Sequence, residues 1–188
     1  MPKKKKIQRK SIDKTKTIPK TKASIEELQE SRNGGQIALR GYSYQFLYSC
    51  YLMLSCKDEN TVFNLEGIED IDKIVSTSDE QKTMHIQLKY SENKQDASFM
   101  KSVLKNFLEA YLLDKNRAFK LVYDFSVAKG HLSKLVNNIL DSDELQYWKV
   151  TVDEIKNENP QWNWNQLDFD DFISKLSYEN IKKAVLAE

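Results

Sequence analysis

Apolar side chains return at helical spacing along "QIALRGYSYQFLYSCYLMLS", residues 36 to 55, where Ile37, Leu39, Tyr44, Leu47, Tyr48, Tyr51 and Leu54 form one broad face. This predicts a long buried helix entered through the Gly34-Gly35 turn. Ahead of it, "SIEELQES" sets Ser24 three residues before Glu27, a capping-box pattern for a short helix that "RNGG" then breaks. The pattern next switches to strand-like runs: "TVFNLEG" (61 to 67), "DIDKIVST" (70 to 77) and "TMHIQLKYS" (83 to 91). Short polar links join them, so a three-stranded antiparallel meander is expected.

Helical spacing resumes in "ASFMKSVLKNFLEAYLLD" (97 to 114), with Phe99, Met100, Val103, Leu104, Phe107, Leu108, Tyr111 and Leu112 on one stripe. "FKLVYDFSV" (119 to 127) predicts a fourth strand and "HLSKLVNNIL" (131 to 140) a further helix. Beyond this, "LQYWKVTV" fits a helix or a strand, "PQWNWNQLDF" a loop, and "DFDDFISKLS" and "YENIKKAVLA" two helices. The order through residue 127 is therefore α-β-β-β-α-β, an α/β (α+β) sandwich whose meander is extended by a strand delivered through a crossover helix.

Composition adds a division along the chain. Of 188 residues 40% are hydrophobic, enough for one domain-sized core. The net charge of +1 hides an asymmetry: residues 1 to 22 carry ten Lys or Arg, among them Lys3, Lys4, Lys5 and Lys6, against the single acid Asp13, a net +9 that leaves −8 on the remainder. Like charges with few large apolar residues cannot bury enough surface to fold. We therefore expect a basic arm and short helix over 1–31, a core over 32–140, and a mainly helical extension over 141–188 leading into a further domain. Such an arm suits contact with nucleic-acid phosphates or acts only as a solubilising terminus. No stretch has the roughly 20 apolar residues of a membrane span, no signal-peptide pattern opens the chain, and Cys50 and Cys56 lack zinc-site partners. A reduced, cytoplasmic protein with core cysteines is expected.

Strand parity brings candidate chemistry together. In the third strand Met84, Ile86, Leu88 and Tyr90 share one side, and His85, Gln87 and Lys89 the other. Asp70 and Asp72 share a side in the second strand, and Glu66 ends the first. If the apolar sides cover one helix, the polar sides form a wet face on which Glu66, Asp70, Asp72, Gln87 and Lys89 meet. Gathered carboxylates raise one another's pKa, and a divalent cation relieves the repulsion. Hard oxygen ligands suit Mg2+ or Mn2+. An acidic hairpin with an amphipathic strand beside it is the plainer account of the same residues.

The order of these motifs, with an acid opening the second strand and Gln87-x-Lys89 in the third, resembles the PD-(D/E)XK nuclease core in its QxK form. "GGQIALRGYSYQFLY", "LEGIEDIDKIV" and "HIQLKYS" are similar to the N-terminal double-stranded DNA endonuclease domain of CD-NTase-associated (CBASS) and Lamassu-type anti-phage effectors. The resemblance implies a restriction-endonuclease-like fold and Mg2+-dependent hydrolysis of DNA. It assigns Asp72 as the metal-binding acid, Gln87 to the position that is often acidic, and Lys89 as the catalytic lysine. Asp70 or Glu66 supplies a second ligand, and Gln45 stands where many relatives carry Glu. A regulatory domain or subunit that activates by homo-oligomerisation is implied as well.

Lys101, Lys105, Lys129 and the basic arm are the expected contacts to the DNA backbone. His85 is expected in a supporting role, His131 either touches DNA phosphate or simply opens the helix that follows, and Trp162 and Trp164 are expected in packing. Two other functions compete: a nuclease-fold module silenced by Gln45 and Gln87 that binds DNA or assembles complexes, and an RNA-directed nuclease.

Overall fold

The computed structural model describes the backbone of residues 25–78 and 80–182 and side-chain surroundings from residue 39 onward, so Lys3, Lys4, Lys5, Lys6 and the rest of the basic arm lie outside the described residues. The chain divides into two compact units, Met1–Gly35 and Gln36–Glu188, of which the second contains the whole sheet.

Five strands form one mixed sheet in the order β1-β2-β3-β4-β5. β1 (Thr61–Leu65), β2 (Ile71–Ser76) and β3 (Gln81–Tyr90) are the antiparallel meander, with Asp72 opposite His85 and Ile71 opposite Ile86. Helix α1 (Ile25–Ser55) precedes them, and α2 (Ala97–Leu113) carries the chain over to β4 (Ala118–Asp124), which lies parallel to β3 with Gln87 beside Leu121. Three further helices, α3 (His131–Val136), α4 (Ser142–Glu158) and α5 (Phe169–Ser174), precede β5 (Leu176–Asn180), parallel to β4. The expected order through β4 is the order found, in an α+β fold consistent with a restriction-endonuclease-like core.

Helix boundaries follow local chemistry. Asp96, Asp141 and Asp168 cap α2, α4 and α5, their carboxylates accepting from the backbone N–H of Ser98, Glu144 and Asp171. Each cap satisfies a donor that the first turn leaves unpaired. Helix α1 runs without interruption, so "RNGG" does not break it. Glycine in a helix interior costs only about 1 kcal/mol, which the helix-forming residues on either side offset.

Two apolar layers sandwich the sheet. On one face Phe119 and Leu121 pack with Met100, Leu104, Phe107 and Tyr111 of α2, Trp148 and Ile155 of α4, and Phe172 of α5. On the other, Ile71, Ile86 and Val122 meet Tyr48 of α1 and Ile181. Each fully buried side chain of this size stabilises the fold by about 1.5–3 kcal/mol.

Both faces are thus covered, which corrects the expectation of a wet one. His85 is 1% exposed, Gln87 4% and Asp72 6%. The His85 ring lies on Phe119, which in turn packs on Phe107 of α2. Parity sorted these residues onto one face correctly; the crossover helix then buries that face, as happens wherever parallel strands need helices to join them.

The C-terminal region departs further. "LQYWKVTV" belongs to α4, whereas residues 176–180, expected to be helical, form β5. Backbone pairing with β4, a partner more than fifty residues away, overrides a weak helical preference there. Cys50 and Cys56 are free thiols, half-buried instead of central to the core. Trp162 and Trp164 stack on each other, and the Trp164 indole N–H donates to the Asn159 carbonyl. Among the described residues no helix is long and apolar enough to cross a membrane.

Candidate active site

The turn between β1 and β2, "EGIED", builds the site. The Glu66 N–H donates to the Asp70 carbonyl (3.0 Å), closing the turn, and Glu66 adopts φ +56°, a left-handed conformation unusual for a residue with a Cβ. At Gly67 a Cβ would overlap Oδ2 of Asp72, so only glycine lets the backbone pass this close. That same Oδ2 accepts from the Ile68 N–H (3.0 Å) and holds the turn down.

Asp72 is fully committed elsewhere. Its Oδ1 lies 2.5 Å from His85 Nδ1, and His85 Nε2 lies 2.8 Å from Arg117 Nη1, with Arg117 Nε on Asp114 (3.2 Å). A guanidinium can only donate, so Nε2 accepts and the proton sits on Nδ1, pointing at Asp72. This buried chain of side chains anchors the turn.

Asp70, instead of Asp72, reaches the Gln-x-Lys segment. It precedes β2, outside the ladder, and its Oδ2 accepts from the Leu88 N–H at 2.6 Å. Leu88 is the residue between Gln87 and Lys89, so this bond docks the Asp70 carboxylate between the two. Gln45 of α1 completes the link: its Nε2 donates to Glu66 Oε1 (2.6 Å) and, more weakly, to the Asp70 carbonyl (3.4 Å). An open cleft of about 270 Å³ follows, walled by Gln45, Glu66, Asp70, Lys89 and the stacked rings of Tyr44 and Tyr90. Asp72 and Gln87 do not line it.

Glu69 is a functional candidate that spacing does not single out. Burial first, then the neighbouring Asp70, pushes its carboxyl up to about 7, against the pull of Lys89 and a hydrogen bond from Gln87. Burial likewise raises Asp70, offset in part by the Leu88 N–H and Lys89. Among the described residues Oε1 of the buried Gln87 has no partner. The one forewarning in the sequence is adjacency, an acid directly preceding Asp70.

These features suit a hard divalent cation. Carboxylates held above their ordinary range and an orphaned amide oxygen are what such an ion would satisfy. Among the described residues, however, no three His, Cys, Asp or Glu side chains are already gathered at ligand spacing. An ion here would draw on neutral oxygens as well as on acids.

Of the expected DNA-binding lysines, Lys101 is already engaged at the surface, bound to Glu154 (2.9 Å) and Glu158 (2.8 Å) of α4. Lys105 lies on the same groove beside Glu158. Both lie at the exposed edge of the α2–α4 pair, beside the acids of α4. Lys129 is exposed and, among the described residues, makes no ion pair. His131 is tied to Glu144 at 2.9 Å.

The comparison with family models is decisive: the Cap4, dsDNA endonuclease domain, matches residues 33–188. The chain belongs to that family. It is a DNA endonuclease domain, a nuclease whose substrate is double-stranded DNA, and the anti-phage effector role implied by the sequence resemblance goes with it. No curated protein and no solved structure matches the chain. In this Cap4-type endonuclease the cleft beside Gln87-Leu88-Lys89 brings two acids, the Gln45 amide and Lys89 together on open space.

Proposed function

We propose that DNA is cut in the cleft between α1 and the C-terminal end of β3, with Asp70 as the principal metal-binding acid. The observation that carries this is the 2.6 Å bond from the Leu88 N–H to the Asp70 carboxylate, which fixes the acid between Gln87 and Lys89. Asp70 and Glu66, the acidic side chains that line the cleft beside Lys89, would hold Mg2+ or Mn2+. Bound there, the ion would lower the pKa of a water and polarise the phosphodiester. Lys89 donates to the attacking water or to a phosphoryl oxygen and offsets the charge that grows in the transition state. Gln45 holds Glu66, and through the turn Asp70, in register. Lys129 and the basic arm contact the DNA backbone without reading sequence. Because few residues face base edges, control rests with a regulatory domain or partner that brings copies together.

A plasmid assay tests this directly. Wild type with Mg2+ cleaves double-stranded DNA, EDTA stops it, and Asp70→Ala and Lys89→Ala each lower the rate at least about 100-fold. RNA of equal length stays intact. If both variants cut as wild type does, the cleft is not the active site. A second reading has one observation behind it, the amides at 45 and 87 in place of acids: the cleft binds DNA and leaves it whole. Full-length, assembled protein that shifts DNA in gels with Mg2+ yet never nicks it establishes that reading.

A further inference from the structure

Helix α1 has an outer face that none of the described residues covers. Leu39, Tyr42, Phe46, Leu47, Met53 and Leu54 recur at spacings of three, four and seven along it, from 45% exposed at Met53 to 88% at Leu54. The inner face is different: Tyr44, Tyr48, Tyr51 and Leu52 pack on the sheet. Six large side chains left about half or more uncovered offer on the order of 600 Å² of apolar surface. That is at the upper end of the roughly 300–600 Å² of a monomer's largest apolar patch and approaches the about 800 Å² per partner of a stable interface.

Charge narrows the occupant. From residue 36 to 55 the only charged side chain is Arg40, and its guanidinium is bound to Glu92 of the same chain. A nucleic acid would need free cations on this face, and an acidic or basic peptide would need an opposite charge. An uncharged apolar stripe suits a surface like itself.

The sequence of the stripe is also self-matching. About a twofold axis between Phe46 and Leu47, antiparallel pairing sets each residue against the one whose number completes 93. Leu39 meets Leu54, Phe46 meets Leu47, and the small pair Ser43 and Cys50 face each other, while Tyr42 lies over the half-buried edge of Tyr51. Large residues meet large and small meet small, with Met53 set against Arg40, whose charge Glu92 of the same chain answers, as an isologous interface allows. We propose that two copies of this chain pair through the outer face of α1, antiparallel about that axis. This deepens the reading that copies are brought together for control, by naming the surface. It does not depend on a metal or on cleavage. Gly41, Tyr42, Tyr44 and Gln45 of the same helix also border the cleft, so each copy's helix joins the interface to its own site.

Sedimentation of the full chain between roughly 1 and 100 µM, the range in which interfaces of this size are populated, tests it. Wild type should show twice the chain mass. Phe46→Glu should weaken association about 30-fold or more, as loss of a central aromatic anchor does. The register is tested by charge: Leu39→Lys with Leu54→Lys should give single chains, and Leu39→Lys with Leu54→Glu should restore the pair. All these positions are exposed, so the far-ultraviolet dichroism of every variant should match wild type. A wild type that stays a single chain throughout overturns the proposal, as does a pair indifferent to Phe46→Glu. If Leu39→Lys with Leu54→Glu dissociates as fully as the double-lysine variant, the register is overturned. None of these readouts involves DNA, so their failure is distinct from failure of the catalytic reading.

Discussion

Asp72 and His85 face each other across β2 and β3, 2.5 Å apart and almost wholly buried, with Arg117 closing the far side of the imidazole. The pair holds the Glu66–Asp70 turn through the Ile68 N–H, one step removed from the cleft.

Removing the imidazole strands a buried carboxylate. His85→Ala should therefore cost about 3–5 kcal/mol, the range for breaking a buried pair from one side. At this chain length that is a fall of roughly 6–20 °C in Tm. Asp70→Asn should leave Tm unchanged or higher and abolish cleavage. Thermal unfolding and plasmid cleavage on both variants and on Asp72→Asn separate anchor from active acid. An Asp72→Asn protein with unchanged Tm and no cleavage would return the metal-binding role to Asp72.

Gly67→Ala tests the anchor from the backbone side. The new Cβ would overlap Oδ2 of Asp72, and the Ile68 N–H bond must open. Loss of a buried hydrogen bond of this kind costs about 1–3 kcal/mol. Because the same turn carries Asp70, cleavage should fall about 10- to 100-fold while DNA binding changes little. Cleavage rates at saturating DNA are the measurement.

Glu69 makes the metal-free protein sensitive to pH. Its folded pKa of about 7 lies above the ordinary 4.5, so the folded state binds a proton more tightly than the unfolded chain. The stabilisation is full below about pH 4.5 and is lost as pH rises through 7. Tm in EDTA should accordingly drop between pH 5 and 7.5, and Glu69→Gln should flatten that slope. An identical slope in Glu69→Gln would move the titration to another group.

The lysines divide by location. Lys101→Ala should leave DNA affinity within about twofold and stability almost unchanged, since its charge is already answered by Glu154 and Glu158 in solvent-screened pairs. Lys129→Ala should weaken binding to any sequence and reduce the slope of log K against log salt by about 1. Fluorescence anisotropy across a salt series reads both.

Much of this architecture could be read from spacing. The three-strand meander, the crossover helix with Phe107 and Leu104 inward, and the shared side of His85, Gln87 and Lys89 all follow from period alone. What spacing could not show was depth. His85 and Gln87 looked solvated because they are polar, yet α2 covers them, and only the Asp72 and Arg117 contacts explain how His85 tolerates it. Asp70 and Asp72 have the same parity, but β2 begins at Ile71. The first carboxylate therefore swings out of the ladder toward Leu88 while the second stays in it. β5 was illegible for a related reason: "LSYEN" becomes a strand through its alignment with Phe119 to Tyr123, a partner no local pattern announces.

Glu66 sits in the left-handed region at the bend that Gln45 grips. Glycine there would relax the backbone by on the order of 1 kcal/mol, so any selection for thermal stability alone would replace this glutamate early. The same exchange would cut the side-chain tether from Gln45 to the acidic turn. A hardened version of this domain is thus expected to be a slower one, and slack at residue 66 is where that trade is made.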